Sequence, residues 1–387
     1  VSRTATRLAV SLACVLATVL AAAPPAAADT TRDRQWHLAF LNVAEAHKLN
    51  QGSGVVVAVV DTGVNGNHPD LVGNVLPGAD VSGVGTPNAL EDLVGHGTGM
   101  ASLIAGHGHG AGNGEGALGI APQAKVLAVR VTHSNVAVPD TLAAGIDVAV
   151  RSGAKVISLS LAGSNSPRLR QSIDAALAAD AVVVAGMGNR PDDVLPGYPA
   201  VYPGVVAVGA TGQDGNVGSI SVTGPQMVLS APGMRIVSAD PIGYAIGDGT
   251  SASTAIVAGA AALVRSKYPS LSAREVVHRL TATATDKGAP GRDPQYGFGI
   301  VNLVGALTAD VPPASPSAAP PSAGDPVPAS TGPAAAVPPA GGNGNGIGSA
   351  VPLVLALLAV VLAVAGAAGW LLLRRRRAAV GSPTATP

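Results

Sequence analysis

Three residues far apart in this sequence carry the groups from which a nucleophilic hydrolase is assembled: the carboxylate of Asp61, the imidazole of His96 and the hydroxyl of Ser251. Asp61 directly follows an apolar run at residues 55–60 (VVVAVV). Ligands of open parallel sheets bind beyond the carboxyl ends of strands, so a carboxylate there is on the correct edge for a site. Taken alone it reads more readily as a loop cap. His96 stands between glycines in Gly95-His96-Gly97-Thr98-Gly99, where the backbone can turn sharply and approach a neighbour closely. An isolated histidine in such a setting is commonly structural. Ser251 opens residues 252–264, apolar on every face apart from Ser253 and Thr254. A helix apolar all round is a buried one, and a serine at its start lies near the positive end of the helix dipole. No one of the three decides the matter. Their order, Asp, His, Ser, is one of three chain orders in which such a triad has arisen independently.

The elements that must position these residues alternate. Residues 55–60, 126–131, 156–161, 182–185 and 205–209 are short, nearly continuous apolar runs, the pattern of strands buried on both faces of a parallel sheet. Helical stretches lie between them. Residues 98–105 are expected to be helical, and Asp140 is expected to cap a helix over 141–151. Ser166-Pro167 opens another, with proline at the first position where its missing N–H costs nothing. Ser272-Ala273-Arg274-Glu275 is a capping box. Strand–helix alternation predicts an α/β fold, a doubly wound and mainly parallel sheet covered by helices.

With the three segments in this order, the sequence resembles the subtilase family of serine peptidases over almost all of residues 36–306. Ser160-Leu161-Ala162-Gly163 resembles the strand that pairs with substrate backbone. Ala185-Gly186-Met187-Gly188-Asn189 resembles the segment that carries the oxyanion-hole asparagine. Tyr198-Pro199-Ala200 with residues 205–209, and Ala231-Pro232-Gly233, are further family-like stretches. The resemblance implies Ser251 as nucleophile, His96 as general base and then acid, Asp61 as the group orienting the imidazole, and Asn189 with the Ser251 N–H as oxyanion donors. It also implies that Ser160, Leu161, Ala162, Gly163, Gly186 and Met187 bind substrate. Two positions depart from the family pattern. Ala255 stands where the family usually has a proline, so placement of the serine is expected to be looser, and Met187 is unusual in the oxyanion segment. Side chains around 160–163 and 185–188 are small and define no substrate preference; a modest hydrophobic one is the default expectation.

Other readings narrow the field. Lys+Arg and Asp+Glu are both 23 and aromatics are 2%, which offers neither the basic footprint of a nucleic-acid binder nor a base-stacking surface. The single cysteine, Cys14, precludes a disulfide within this sequence and a cysteine-based metal site. His107-Gly108-His109 lies in a glycine-rich stretch and reads as a flexible surface loop rather than a metal site; His68-Pro69-Asp70 reads as structural. No ordered calcium-ligand pattern is visible, and no cofactor or metal is expected.

The ends carry targeting signals. Arg3 and Arg7, the apolar residues 8–22 and Ala26-Ala27-Ala28 form a secretory signal peptide, residues 1–28. A short extension at 29–35 precedes a protease domain at 36–310. Residues 311–349 are rich in Pro, Ala and Gly, a linker that cannot bury a core. Residues 350–373 are apolar and precede four arginines, Arg374 to Arg377. As a helix they span roughly 36 Å, enough for a hydrocarbon core of about 30 Å. One transmembrane helix is expected, with a basic tail at 374–387 in the cytoplasm and the protease outside. Pro328-Ala329-Ser330-Thr331-Gly332 matches a cell-wall sorting signal only partly. This layout, with Gln35-Trp36-His37-Leu38 and Leu76-Pro77-Gly78-Ala79-Asp80, resembles the mycosins, proteases associated with type VII secretion. The resemblance implies a membrane-anchored serine endopeptidase acting on a protein or peptide substrate, with the secretion machinery as a partner. The alternative is an inactive protease fold serving as a scaffold in a membrane secretion complex.

Overall fold

A computed structural model of the protein describes residues 30–134 and 136–314. The expected signal peptide, most of the linker, the transmembrane helix and the basic tail lie outside these residues. Among the described residues no helix is long and apolar enough to cross a membrane.

The described residues open with three short helices, α1 (Thr31–Arg34), α2 (Trp36–Phe40) and α3 (Val43–Leu49). Strands β1 (Val56–Asp61) and β2 (Val75–Asp80) follow, then helix α4 (His96–Ala105) and a hairpin of β3 (His107–His109) and β4 (Glu115–Leu118). Next come β5 (Lys125–Arg130), α5 (Pro139–Arg151), β6 (Val156–Leu159), α6 (Pro167–Ala178), β7 (Val182–Gly186) and β8 (Val206–Thr211). The last part holds β9 (Leu229–Pro232), the hairpin strands β10 (Ile236–Ala239) and β11 (Tyr244–Gly247), and helices α7 (Thr250–Lys267), α8 (Ala273–Ala282) and α9 (Leu303–Thr308).

Seven strands form one sheet in the order β2-β5-β1-β6-β7-β8-β9, and every neighbouring pair is parallel. Its central strands are buried along nearly their whole length, as their unbroken apolar runs require. Helices α5 and α6 pack together on one side, while α4 and α7 pack together on the other. The chain leaves β1 toward β2 and β5, then returns to build β6 and its successors on the opposite side. Strand order therefore reverses at β1, and Asp61 ends that strand. A topological switch point is where an open α/β sheet forms a crevice.

Helix starts follow local chemistry. Ser166 Oγ accepts from the Leu169 N–H at the start of α6, and Ser272 with Glu275 forms the capping box of α8. Asp140 does not cap α5; that helix begins one residue earlier, with Pro139 in its first turn. The fixed φ of proline already suits a helix start. β2 and β9 were not expected from the sequence. β2 is an edge strand containing Pro77 and Gly78, with a bulge between Leu76 and Ala79, features that sheet edges tolerate.

Two further expectations are corrected. His107 and His109 lie not in a flexible loop but in the β3–β4 hairpin, held by a 2.6 Å bond from His109 Nδ1 to the buried Asp70. Asp70 also accepts from the Ala117 N–H, so the structural reading of His68-Pro69-Asp70 extends to this hairpin. The fold also begins before residue 36. Arg32 donates to the carbonyls of Gly116, Asn113 and Glu115, and the buried Gln35 side chain bonds Leu118 and Val237.

Candidate active site

Asp61 is brought to the sheet edge by β1 and is 1% exposed. Its Oδ1 accepts from the Thr62 N–H at 2.8 Å and from His96 Nδ1 at 2.7 Å. Because a carboxylate oxygen only accepts, the Nδ1 of His96 carries a proton and Nε2 remains free to accept one. His96 is the first residue of α4 and its side chain is partly buried. Burial pulls its pKa down, but the charge and hydrogen bond of Asp61, joined by the charge of Asp92, outweigh this. The net pKa is raised above the ordinary histidine value.

Ser251 is the second residue of the buried helix α7. Its hydroxyl donates to Ser160 O at 3.0 Å, and Ser160 Oγ donates back to Ser251 O at 3.1 Å. The first turn of α7 has further anchors. Thr254 Oγ1 bonds Thr250 O, and Ser253 Oγ bonds Ala231 O and Pro232 O. Ala255 is wholly buried inside this helix. These side-chain bonds hold the turn that carries Ser251.

Asn189 has a fixed amide orientation. Its Oδ1 accepts from Thr250 N at 2.9 Å and Thr250 Oγ1 at 3.2 Å, which leaves Nδ2 as the free, donating end. A methyl placed on Gly249 would stand 3.6 Å from Ser251 N and 3.7 Å from Asn189 Nδ2. The two donors therefore border one small volume beside the serine.

His96, Ser251 and Asn189 line one cleft of about 710 Å³ with Ser160, Leu161, Ala162, Gly163 and Gly186. Met187 does not belong to this set. It is fully buried in the core, on the other side of the chain from its neighbour Gly186, because successive residues of an extended segment face opposite ways. The lining also carries Asp192, Asp193, Asp240 and Asp248, an acidity that the small residues of 160–163 and 185–188 did not announce. Among the described residues no group of three or more His, Cys, Asp or Glu is placed to hold a metal ion.

A carboxylate-bound imidazole, a serine at a helix N-terminus and paired amide donors around one cleft are the parts of an acyl-transfer site. The family model of the subtilase family matches residues 52–299, which contain every one of these parts. The chain belongs to the subtilase family.

As a subtilase it is a subtilisin-type serine endopeptidase. It is 40% identical over 276 residues to subtilisin Savinase of Lederbergia lenta, covering 70% of this chain and 97% of that protein. It is 40% identical over 242 residues to thermitase of Thermoactinomyces vulgaris, covering 62% of this chain and 85% of the relative. Among solved structures, MycP1 from Mycobacterium smegmatis superposes with a TM-score of 0.62 at 29% identity, over 75% of this subtilase and 88% of that chain. The MycP3 protease from the type VII (ESX-3) secretion system gives a TM-score of 0.62 at 31% identity, over 75% and 90%.

Sequence reasoning passed over two residues of this site. Thr62 Oγ1 accepts from the Gly97 N–H and donates to Asp92. Asp92 is buried behind the cleft wall. Its position four residues before His96 was the available signal.

Proposed function

We propose that this subtilase hydrolyses peptide bonds through an acyl-enzyme on Ser251. The observation that carries the reading is the 2.7 Å bond from His96 Nδ1 to Asp61, on a cleft shared with Ser251 and the Asn189 amide. Substrate binding turns the Ser251 hydroxyl from Ser160 O to His96 Nε2. His96 takes its proton as Oγ attacks the scissile carbonyl carbon. Negative charge moves to the carbonyl oxygen, where Asn189 Nδ2 and Ser251 N donate to it. Such donors act because they are fixed before the charge develops. When the C–N bond breaks, His96 Nε2 gives its proton to the leaving amine. Water, deprotonated by His96, then attacks the acyl carbon, and Ser251 recovers its proton. Asp61 keeps its charge throughout and stabilises the imidazolium.

The same reading places the domain outside the cell, tethered by residues 350–373, where it processes proteins exported by a type VII system. The likeness to MycP1 and MycP3 and the apolar run before Arg374 to Arg377 support this. Expression of the full chain in a host with a type VII system tests it. The domain is expected in the membrane fraction, digestible by protease added to intact cells. The Ser251→Ala variant should leave some exported proteins with unprocessed ends. A domain protected inside the cell, or exported proteins with identical ends in both strains, contradicts the reading.

A further inference from the structure

Asp92 takes no part in the chemistry described above, yet no other side chain near the site collects so many hydrogen bonds. It is 5% exposed. Its Oδ1 accepts from Thr62 Oγ1 at 3.0 Å, Val94 N at 3.0 Å and Gly95 N at 2.9 Å. Its Oδ2 accepts from Thr98 N at 2.9 Å and Thr98 Oγ1 at 2.7 Å. Both hydroxyls pass the connection on. Thr62 Oγ1 accepts from Gly97 N, and Thr98 Oγ1 accepts from Asn65 N, both at 2.9 Å. Thr62 directly follows Asp61, and Gly95, Gly97 and Thr98 surround His96.

The turn into α4 has little else to hold it. Its N-cap residue, Gly95, has no side chain and sits in the left-handed region at φ 96°. A Cβ there would come within 2.4 Å of Asp240 Oδ1, so glycine is required. Leu93 is 85% exposed and Val94 also faces solvent, so the turn gains little from apolar burial. The N–H groups of a helix's first turn need outside acceptors. Here Thr62 and Asp92 provide them from the preceding loops.

We propose that Asp92 is the positioning residue of the Asp61–His96 pair, its buried carboxylate clamping the turn that carries His96 and, through Thr62, the strand end that carries Asp61. The inference rests on the triad reading above. The negative charge of Asp92 also acts on the His96 imidazole, favouring its protonated form. Three carboxylates surround this corner: Asp61 at the end of β1, Asp92 in the loop before α4, and Asp240 in the β10–β11 turn beside Gly95. An amide at position 92 would turn an NH2 toward N–H and O–H donors on one of its two sides, whichever way it were flipped.

The test compares Asp92→Asn and Thr62→Val with wild type in peptide hydrolysis between pH 5 and 9, with thermal melts of each. Displacement of catalytic groups by about an ångström costs on the order of 100-fold. Asp92→Asn is expected to lower kcat by roughly 10- to 100-fold with KM within about twofold, since Asp92 does not face the cleft. Its acid limb in kcat/KM should move to lower pH, because the charge favouring imidazolium is lost. Thr62→Val, which keeps that charge, should lower kcat without moving the limb. A folded Asp92→Asn enzyme with wild-type kcat and an unmoved limb overturns the proposal. Should Asp92→Asn fail to fold, wild-type kcat in Thr62→Val overturns it instead. Wild-type protein without Ser251-dependent hydrolysis would sink the triad reading, which separates the two failures.

Discussion

Ser251 and Ser160 hold each other by two hydrogen bonds, each hydroxyl donating to the other's carbonyl at 3.0 and 3.1 Å. Ser251 is thus held from outside its own helix. Ser160 follows β6, the neighbour of β1 in the sheet, so this pair ties the start of α7 to the sheet edge that holds Asp61. The helix start is secured by side chains, not by a break in helical backbone bonding.

The Asn189 amide has two separable duties, and substitutions can divide them. Asn189→Asp keeps an acceptor for Thr250 but replaces the donor with an anionic oxygen beside the developing oxyanion. Asn189→Ala removes both. Each variant is expected to lose about 100- to 1,000-fold in kcat, the range known for this change in a subtilisin, with KM little altered. The Asp variant should lose at least as much as the Ala variant. Steady-state kinetics with a peptide substrate checks this; a loss below tenfold contradicts it.

Activity should depend on pH through His96. The general base must be neutral, and the charges of Asp61 and Asp92 outweigh burial to raise its pKa above 6.5. The acid limb of kcat/KM, which reports the free enzyme, is therefore expected above pH 6.5, with activity falling as pH drops through it. A limb below 6.5 contradicts the electrostatic account.

Acid stability should depend on a different histidine. His37 in α2 is fully buried, with neither ring nitrogen hydrogen-bonded among the described residues. Burial lowers its pKa from 6.5 to about 3. Below pH 6.5 the unfolded chain takes up a proton there that the folded chain refuses, so stability falls as pH drops from 6.5 toward 3. At pH 4 the penalty is about 3 kcal/mol. His37→Phe should unfold at higher urea than wild type at pH 4, relative to their difference at pH 7. Parallel behaviour at both pH values would refute this.

Arg130, on β5 beside Asp61, is 1% exposed. It donates to Thr62 O at 3.1 Å, to Asp80 Oδ2 at 2.9 Å and to Glu91 O. Arg130→Ala leaves the Asp80 carboxylate, whose side chain is 4% exposed, with only its hydrogen bonds from Ser82, and breaking such a pair costs about 3–5 kcal/mol. Urea denaturation should show that loss, and adding Asp80→Asn should recover part of it. A loss below about 1 kcal/mol would mean the pair is effectively solvated.

Much of this arrangement was legible in the sequence, for identifiable reasons. β1, β5, β6, β7 and β8 announced themselves because strands buried on both faces need unbroken apolar runs. Asp61, His96 and Ser251 stand out in the sequence because each borders a distinctive run. β2 escaped because an edge strand can carry Pro77 and Gly78. Helix α4 begins at His96, two residues before the expected start, because Thr62 and Asp92 receive its first N–H groups from the preceding loops. Met187 was misplaced because the order of residues in a segment does not reveal which one faces the cleft. Asp92 sat in plain view, but four of its hydrogen bonds form only as residues 94–98 turn into α4, and the fifth, from Thr62, only when two loops meet.

The central claim is that Ser251 is a nucleophile activated at this cleft. The most direct measurement is the mass of the intact protein, and then of its tryptic peptides, after treatment with a serine-directed fluorophosphonate. The account predicts one adduct, on the peptide containing Ser251, that is absent from Ser251→Ala and strongly slowed in His96→Ala. A folded wild-type protein that stays unmodified, or that is modified at another residue, would contradict it.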